Sequence, residues 1–213
     1  MRHSHAFARL AAAGLLAGGL VATAGPALAT GGEGSAYGLA VTGPLAVPPV
    51  PAVSSTTRTV SKRLLQENHT KLARASALDV SASADRAHSS VARLAVPTAK
   101  LAADSVSAKC VNGRGTANLA NAVLAGKRLD STPPPNTTIP VDVDGFGRTA
   151  LVLNKQQRTA DGRTAVTAME LMLPRGKGAL RVASATCGQG VPERAPAEAP
   201  APSPVKHDLP VTG

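Results

Sequence analysis

Cys110 and Cys187 carry the most reactive side chains in this chain, and their spacing restricts what they can do. Two thiolates without neighbouring His or Cys ligands do not complete a tetrahedral metal site. A catalytic dithiol normally shows C-x-x-C, which is missing. What remains is one disulfide, closing a loop of about 75 residues and worth roughly 4 kcal/mol in the chain-entropy account. A second signature is the pentapeptide Leu209-Pro210-Val211-Thr212-Gly213. It fits L-P-x-T-G, which sortase-type transpeptidases of Gram-positive bacteria cut between Thr and Gly. Pro210 supplies the kinked, extended shape that a groove can grip, and Thr212 the carbonyl that a thiolate attacks. A full signal continues into an apolar segment and a basic tail. With Gly213 as the last residue, the expectation is a genuine sorting motif on a truncated or trimmed chain.

Other reactive residues lack partners in the sequence. Asp142-Val143-Asp144-Gly145-Phe146-Gly147 faintly resembles a calcium loop, but the D-x-D-x-D-G spacing and the later bidentate Glu are missing. A β-turn with exposed Asp is the expectation. His69, His88 and His207 are scattered and read as surface residues. Asn68-His69-Thr70 and Asn136-Thr137-Thr138 match glycosylation sequons, which mean little in a bacterium. No catalytic residue, metal ligand or cofactor is assigned.

The N-terminus carries an address. Arg2 and Arg9 precede an apolar run from Leu10 to about Ala24, which Gly25-Pro26 breaks. Ala27-Leu28-Ala29 then offers the small residues that signal peptidase requires, so residues 1–29 read as a leader cut before Thr30. The run is too short for a comfortable permanent anchor. Losing Arg2 and Arg9 lowers the formal net charge from +10 to +8. Export also places the two cysteines in an oxidising compartment.

The elements that must position these groups are strands. Residues 30–57 are rich in Gly, Ala, Pro and Ser. In them Ser35–Gly43 suits a first strand, while the prolines of Pro44–Ser55 exclude a central-strand role. Residues 61–78 have some helical periodicity through Leu64, Leu65, Leu72 and Ala73, and an extended segment is the rival. From there the period is two. Leu78, Val80, Ala82 and Ala84 alternate with Asp79, Ser81, Ser83 and Asp85, and Val91, Arg93 and Ala95 with Ala92, Leu94 and Val96. Further short runs follow to Cys187, bounded by Gly, Pro, Asn or Asp, with Ala160-Asp161-Gly162-Arg163 as a hairpin turn. This is the pattern of an all-β domain: an antiparallel β-sandwich or barrel-like sheet over residues 58–188, stapled by one disulfide, with disordered extensions. Its interior would be Ala, Val and Leu, with only Tyr37 and Phe146 aromatic after residue 29. Residues 189–208 are a Pro/Ala-rich tether of about 20 residues, reaching at most roughly 60 Å in polyproline II form.

The runs "SAYGLAVTG", "ASALDVSASAD…SSVARLAV", "LAADSVSAKC", "LVLNKQQ…TAVTAMELMLP" and "RVASATCG" together resemble the actinobacterial choice-of-anchor P family. The resemblance spans roughly residues 35–188, with "VSAKC" at Cys110, "LNKQQ" around Asn154 and "ASATCG" at Cys187 as its most specific parts. It implies an exported domain attached to the surface by C-terminal devices that differ among members, with no established activity and no catalytic residues to transfer. This chain departs from it in the helix-like "LLQENHTKLAR" and in lacking a membrane tail after Gly213.

Composition narrows the partners. Lys and Arg are spread one or two at a time along the strands without a block, whereas nucleic-acid binders cluster them and, for single strands, add stacking aromatics, so nucleic acid is not expected. Aromatic platforms for sugars are missing too. A diffuse positive surface favours peptidoglycan or the anionic polymers of a bacterial wall, weakly and salt-dependently. The expectation is a non-enzymatic structural or binding domain, exported and displayed at the cell wall or released. The alternative, a small wall-active hydrolase or transpeptidase, needs a convergent set of acid, base, nucleophile or metal ligands that the sequence does not display.

Overall fold

The computed structural model describes residues 32–44, 46–67, 72–145, 147–173 and 178–189. The leader with Ala27, Ala29 and Thr30, the tether beyond Gln189, the LPVTG motif, His69 and His207 lie outside them.

Thirteen strands are described: β1 (Gly34–Val41), β2 (Val47–Ser55), β3 (Val60–Glu67), β4 (Arg74–Ala82), β5 (Arg86–Val96), β6 (Leu101–Val111), β7 (Arg114–Ala120), β8 (Val123–Leu124), β9 (Lys127–Arg128), β10 (Thr137–Val143), β11 (Gly147–Arg158), β12 (Thr164–Met172) and β13 (Ala179–Cys187). They form two antiparallel sheets, ordered β10-β11-β12-β13-β1-β2 and β3-β4-β5-β6-β8-β9, with β7 also paired to β6. The sheets lie face to face: β13 packs on β5 and β6, β1 on β4 and β5, and β12 on β6 and β7. The fold is the disulfide-stapled all-β sandwich that alternation and turn spacing predict.

Turn chemistry explains the short connections. Asn112-Gly113 and Ala125-Gly126 place two successive residues at positive φ, the primed geometry that suits the twist of a tight hairpin. Asp161 and Gly162 close the β11–β12 turn, with the amide of Gly162 donating to Thr159. Asp144 and Gly145 (φ 78°) sit in the turn after β10, as the residue types dictate.

Residues 30–57, whose composition separates them from the domain, nevertheless supply β1 and β2. β1 is an interior strand between β13 and β2, while the proline-bearing β2 lies at the sheet edge. Residues 61–67 are extended, not helical. β3 pairs with β4, so Leu64 packs toward the core while its neighbour Leu65 is 84% exposed. Adjacent leucines point apart in a strand, which removes the helical face they would have shared.

Strict alternation also fails inside strands, and for one reason. Val91, Leu94 and Val96 are all buried although the period of two puts Val91 on the opposite face from the other two. Arg93 between them has φ 48°, a left-handed residue that switches the inward side of β5. Ala77 in the adjacent β4, and Asn154 in β11 and Ala183 in β13 of the other sheet, at φ 51°, 48° and 51°, mark the same switch.

The core between the sheets is aliphatic and small. Leu39, Leu78, Leu119, Leu151 and Met169 are among its large members, interleaved with buried Ala36, Ala82, Ala108, Ala168 and Ala185. Alanines let the sheets approach closely. A β-carbon on Gly115 of β7 would lie 2.9 Å from the β-carbon of Val166 in the opposite sheet. At Gly34 a β-carbon would lie 1.7 Å from the carbonyl oxygen of Ser83, so β1 enters the sandwich only with glycine there.

Candidate functional site

Cys110 is the penultimate residue of β6 and Cys187 the last of β13, in opposite sheets. They form a disulfide with Cα atoms 5.7 Å apart across a separation of 77 residues, both sulfurs fully buried. Polar bonds surround the bridge. The Gly113 amide donates to the Cys187 sulfur at 3.4 Å, and Thr164 Oγ1 donates to the Gly113 carbonyl at 2.7 Å. Just beyond, the Gly188 amide donates to the Ala84 carbonyl at 3.3 Å. The two ends of the domain meet here: a β-carbon on Gly188 would lie 3.4 Å from the Gly32 nitrogen. Gly188 therefore follows a strand hydrogen-bonded on both edges and cross-linked to the other sheet.

The segment "LNKQQ" also ties the sheets. Gln156 Nε2 donates to the Gly115 carbonyl (2.9 Å) and to Asn154 Oδ1 (3.0 Å), while Asn154 Nδ2 donates to the Pro133 carbonyl (2.9 Å). Asn136, in a sequon, accepts from the Gln156 amide at 2.9 Å through its side-chain oxygen. These residues fasten the 131–136 loop and β7 onto β11. Their role is structural.

A polar cluster that sequence reading missed occupies the first sheet. Glu170 of β12 has a side chain only 3% exposed and is gripped from both neighbouring strands. Lys155 Nζ of β11 donates to Oε1 at 2.6 Å, and Arg181 Nε of β13 to Oε2 at 2.9 Å. Burial pushes the Glu170 carboxyl up, but the hydrogen bonds and charges of Lys155 and Arg181 together outweigh it and hold the group below its ordinary range. Burial likewise works against the Arg181 guanidinium, and Glu170, helped by Tyr37, holds it more firmly charged than usual. The signal for this cluster, a Glu inside the apolar run "TAMELMLP", was visible, but its partners lie in other strands.

On the outer face of the second sheet, His88 of β5 stands opposite Lys109 of β6, and Lys109 opposite Thr116 of β7. Lys109 and Arg114 are exposed and take part in no ion pair among the described residues. Asp142 is exposed on β10, and Asp144 donates its amide to the Thr98 carbonyl at 2.7 Å. Among the described residues, no three His, Cys, Asp or Glu side chains come together in a form that could hold a metal ion.

No protein-family model, curated protein or solved structure matches this chain.

Proposed function

We propose that this is a non-enzymatic surface domain, exported by the leader at residues 1–29 and presented at the bacterial cell wall. In this reading a sortase-type transpeptidase joins Thr212 to peptidoglycan when an apolar segment and basic tail follow Gly213. The supporting observation is the buried Cys110–Cys187 bridge at the start of the tether. Such a bridge persists in oxidising compartments outside the cytosol. It also lies where a tethered domain is loaded. Tension arriving through Gly188 passes into β13, which β12 and β1 flank, and through the bridge into β6. The choice-of-anchor P likeness is part of this proposal, resting on the sequence runs alone, and would imply the same role.

Fractionation of an actinobacterial host tests it. The 213-residue form is expected mainly in the medium, starting at Thr30 by N-terminal sequencing. Adding about 20 apolar residues and a short Arg/Lys tail after Gly213 is expected to move it to the wall fraction, and Thr212→Ala to block covalent attachment. Retention of residues 10–25 in the secreted protein, or covalent attachment of the Thr212→Ala form, overturns the reading.

A further inference from the structure

At the Cys110 end of the second sheet, the outer face carries a hollow surrounded by cations. Strand register sets Ser81, His88, Lys109 and Thr116 in one row across β4, β5, β6 and β7. In the next row Arg86 stands opposite Val111, and Val111 opposite Arg114. Directly opposed β-carbons are about 5 Å apart and diagonal ones about 7 Å, so Lys109 has His88 beside it and both arginines on its diagonals. A groove of about 540 Å³ opens on one flank, lined by Lys109, Val111, Asn112, Arg114 and Thr116. A second hollow of about 200 Å³ opens on the other, where Thr59, Ser81, Arg86 and His88 join the lining. Lys109 and Val111 line both, so the two hollows adjoin across these side chains and together form a depression.

The charge balance there is positive. Arg86 lies 3.5 Å from Asp85, which also accepts from Ser83, and Arg63 and Asp79 pair with each other further along the sheet. Lys109 and Arg114 have no carboxylate partner among the described residues. Exposed cations at such spacing hold a single anion poorly, because each contact is worth only about 0–1 kcal/mol in water. A chain of repeated anions engages several at once and releases its condensed counterions. Lysine and arginine donors suit phosphate oxygens, arginine in two-pronged fashion. Hydroxyls of Thr59, Ser81 and Thr116 and the Asn112 amide add neutral hydrogen-bonding groups along the depression. Among the described residues no Phe, Tyr or Trp lines it, so the depression offers no large aromatic platform for a nucleobase.

We infer that this depression, centred on Lys109 and Arg114, binds a linear polyol-phosphate polymer, the anionic component of a bacterial wall. The inference deepens the surface reading and rests on it for where the polymer is met; the affinity belongs to the domain itself.

The test measures binding of the purified full chain to a defined glycerol-phosphate oligomer across a salt series. Saturable binding is expected, with log affinity falling against log salt at a slope of about −2 for three engaged cations. Lys109→Ala with Arg114→Ala should weaken binding at low salt by about tenfold and flatten the slope to roughly −0.7. Lys127→Ala with Arg128→Ala removes equal charge from β9, exposed elsewhere on the sheet, and should change affinity less than about twofold. All three proteins should keep the same thermal unfolding midpoint. No saturable binding, an equal loss in the β9 control, or tighter binding of single-stranded RNA of matched charge overturns the inference. If binding fails while wall attachment succeeds, only the groove is refuted; the reverse outcome refutes only the tether.

Discussion

Replacing Glu170 by glutamine keeps the side-chain shape and removes the charge that Lys155 and Arg181 hold. Breaking a fully buried ion pair by removing one partner costs about 3–5 kcal/mol, and losing an exposed pair costs about 0–1 kcal/mol. Glu170 is 3% exposed, but Lys155 and Arg181 are 29% and 36% exposed and water screens them. The expected loss for Glu170→Gln at neutral pH is therefore about 2 kcal/mol, between the two limits. The pH dependence follows from direction. A carboxyl held below its ordinary value of about 4.5 contributes stability that is fully present above that value and is lost as pH falls through its folded-state value. Glu170→Gln has no such proton to take up. Urea unfolding followed by circular dichroism should then show a gap between wild type and variant that is constant from pH 7 down to about pH 5 and shrinks below about pH 4.5. Lys155→Met, which removes one donor only, should lose less than Glu170→Gln. A variant within about 0.5 kcal/mol of wild type at pH 7, or a gap that does not shrink in acid, would refute the assignment.

Cys187→Ser should cost about 4 kcal/mol, since it opens a loop spanning 77 residues. Reduced wild type should unfold at nearly the same denaturant concentration as the variant, and the thiols should resist alkylation until reduced; a cost under about 1 kcal/mol would count against the bridge as the staple. Ala77 is exposed at φ 51°, so Ala77→Gly should stabilise by about 0.5 kcal/mol while Ala77→Val destabilises by more than about 1 kcal/mol. Thermal melts that rank Val equal to Gly would show that the left-handed turn in β4 is not retained.

Much of the domain was legible in the residue order. Short alternating runs marked the strands, prolines consigned β2 to an edge, and Asp161-Gly162 marked a hairpin. Two lone cysteines with no ligand partners left a disulfide as their chemistry, which the structure contains. The strand, edge and turn signals are local, because backbone preference and side-chain period act over a few residues, and the disulfide followed from the number of cysteines. Tertiary structure decided what depends on register. His88 and Lys109 are far apart in sequence, as are Glu170, Lys155 and Arg181, and the charge read along the chain was diffuse. Hydrogen bonding between strands turned it into a row on one sheet and a clamped carboxylate on the other. The side each strand buries was likewise beyond the alternation itself. Arg93, Asn154, Ala77 and Ala183 enter the left-handed region and reverse it partway along their strands. Three of those four residues, Arg93, Ala77 and Ala183, are of types with no strong preference for that conformation. Closing two sheets of small side chains over one core imposes the reversal, so it belongs to the packed sandwich and not to any short stretch of sequence.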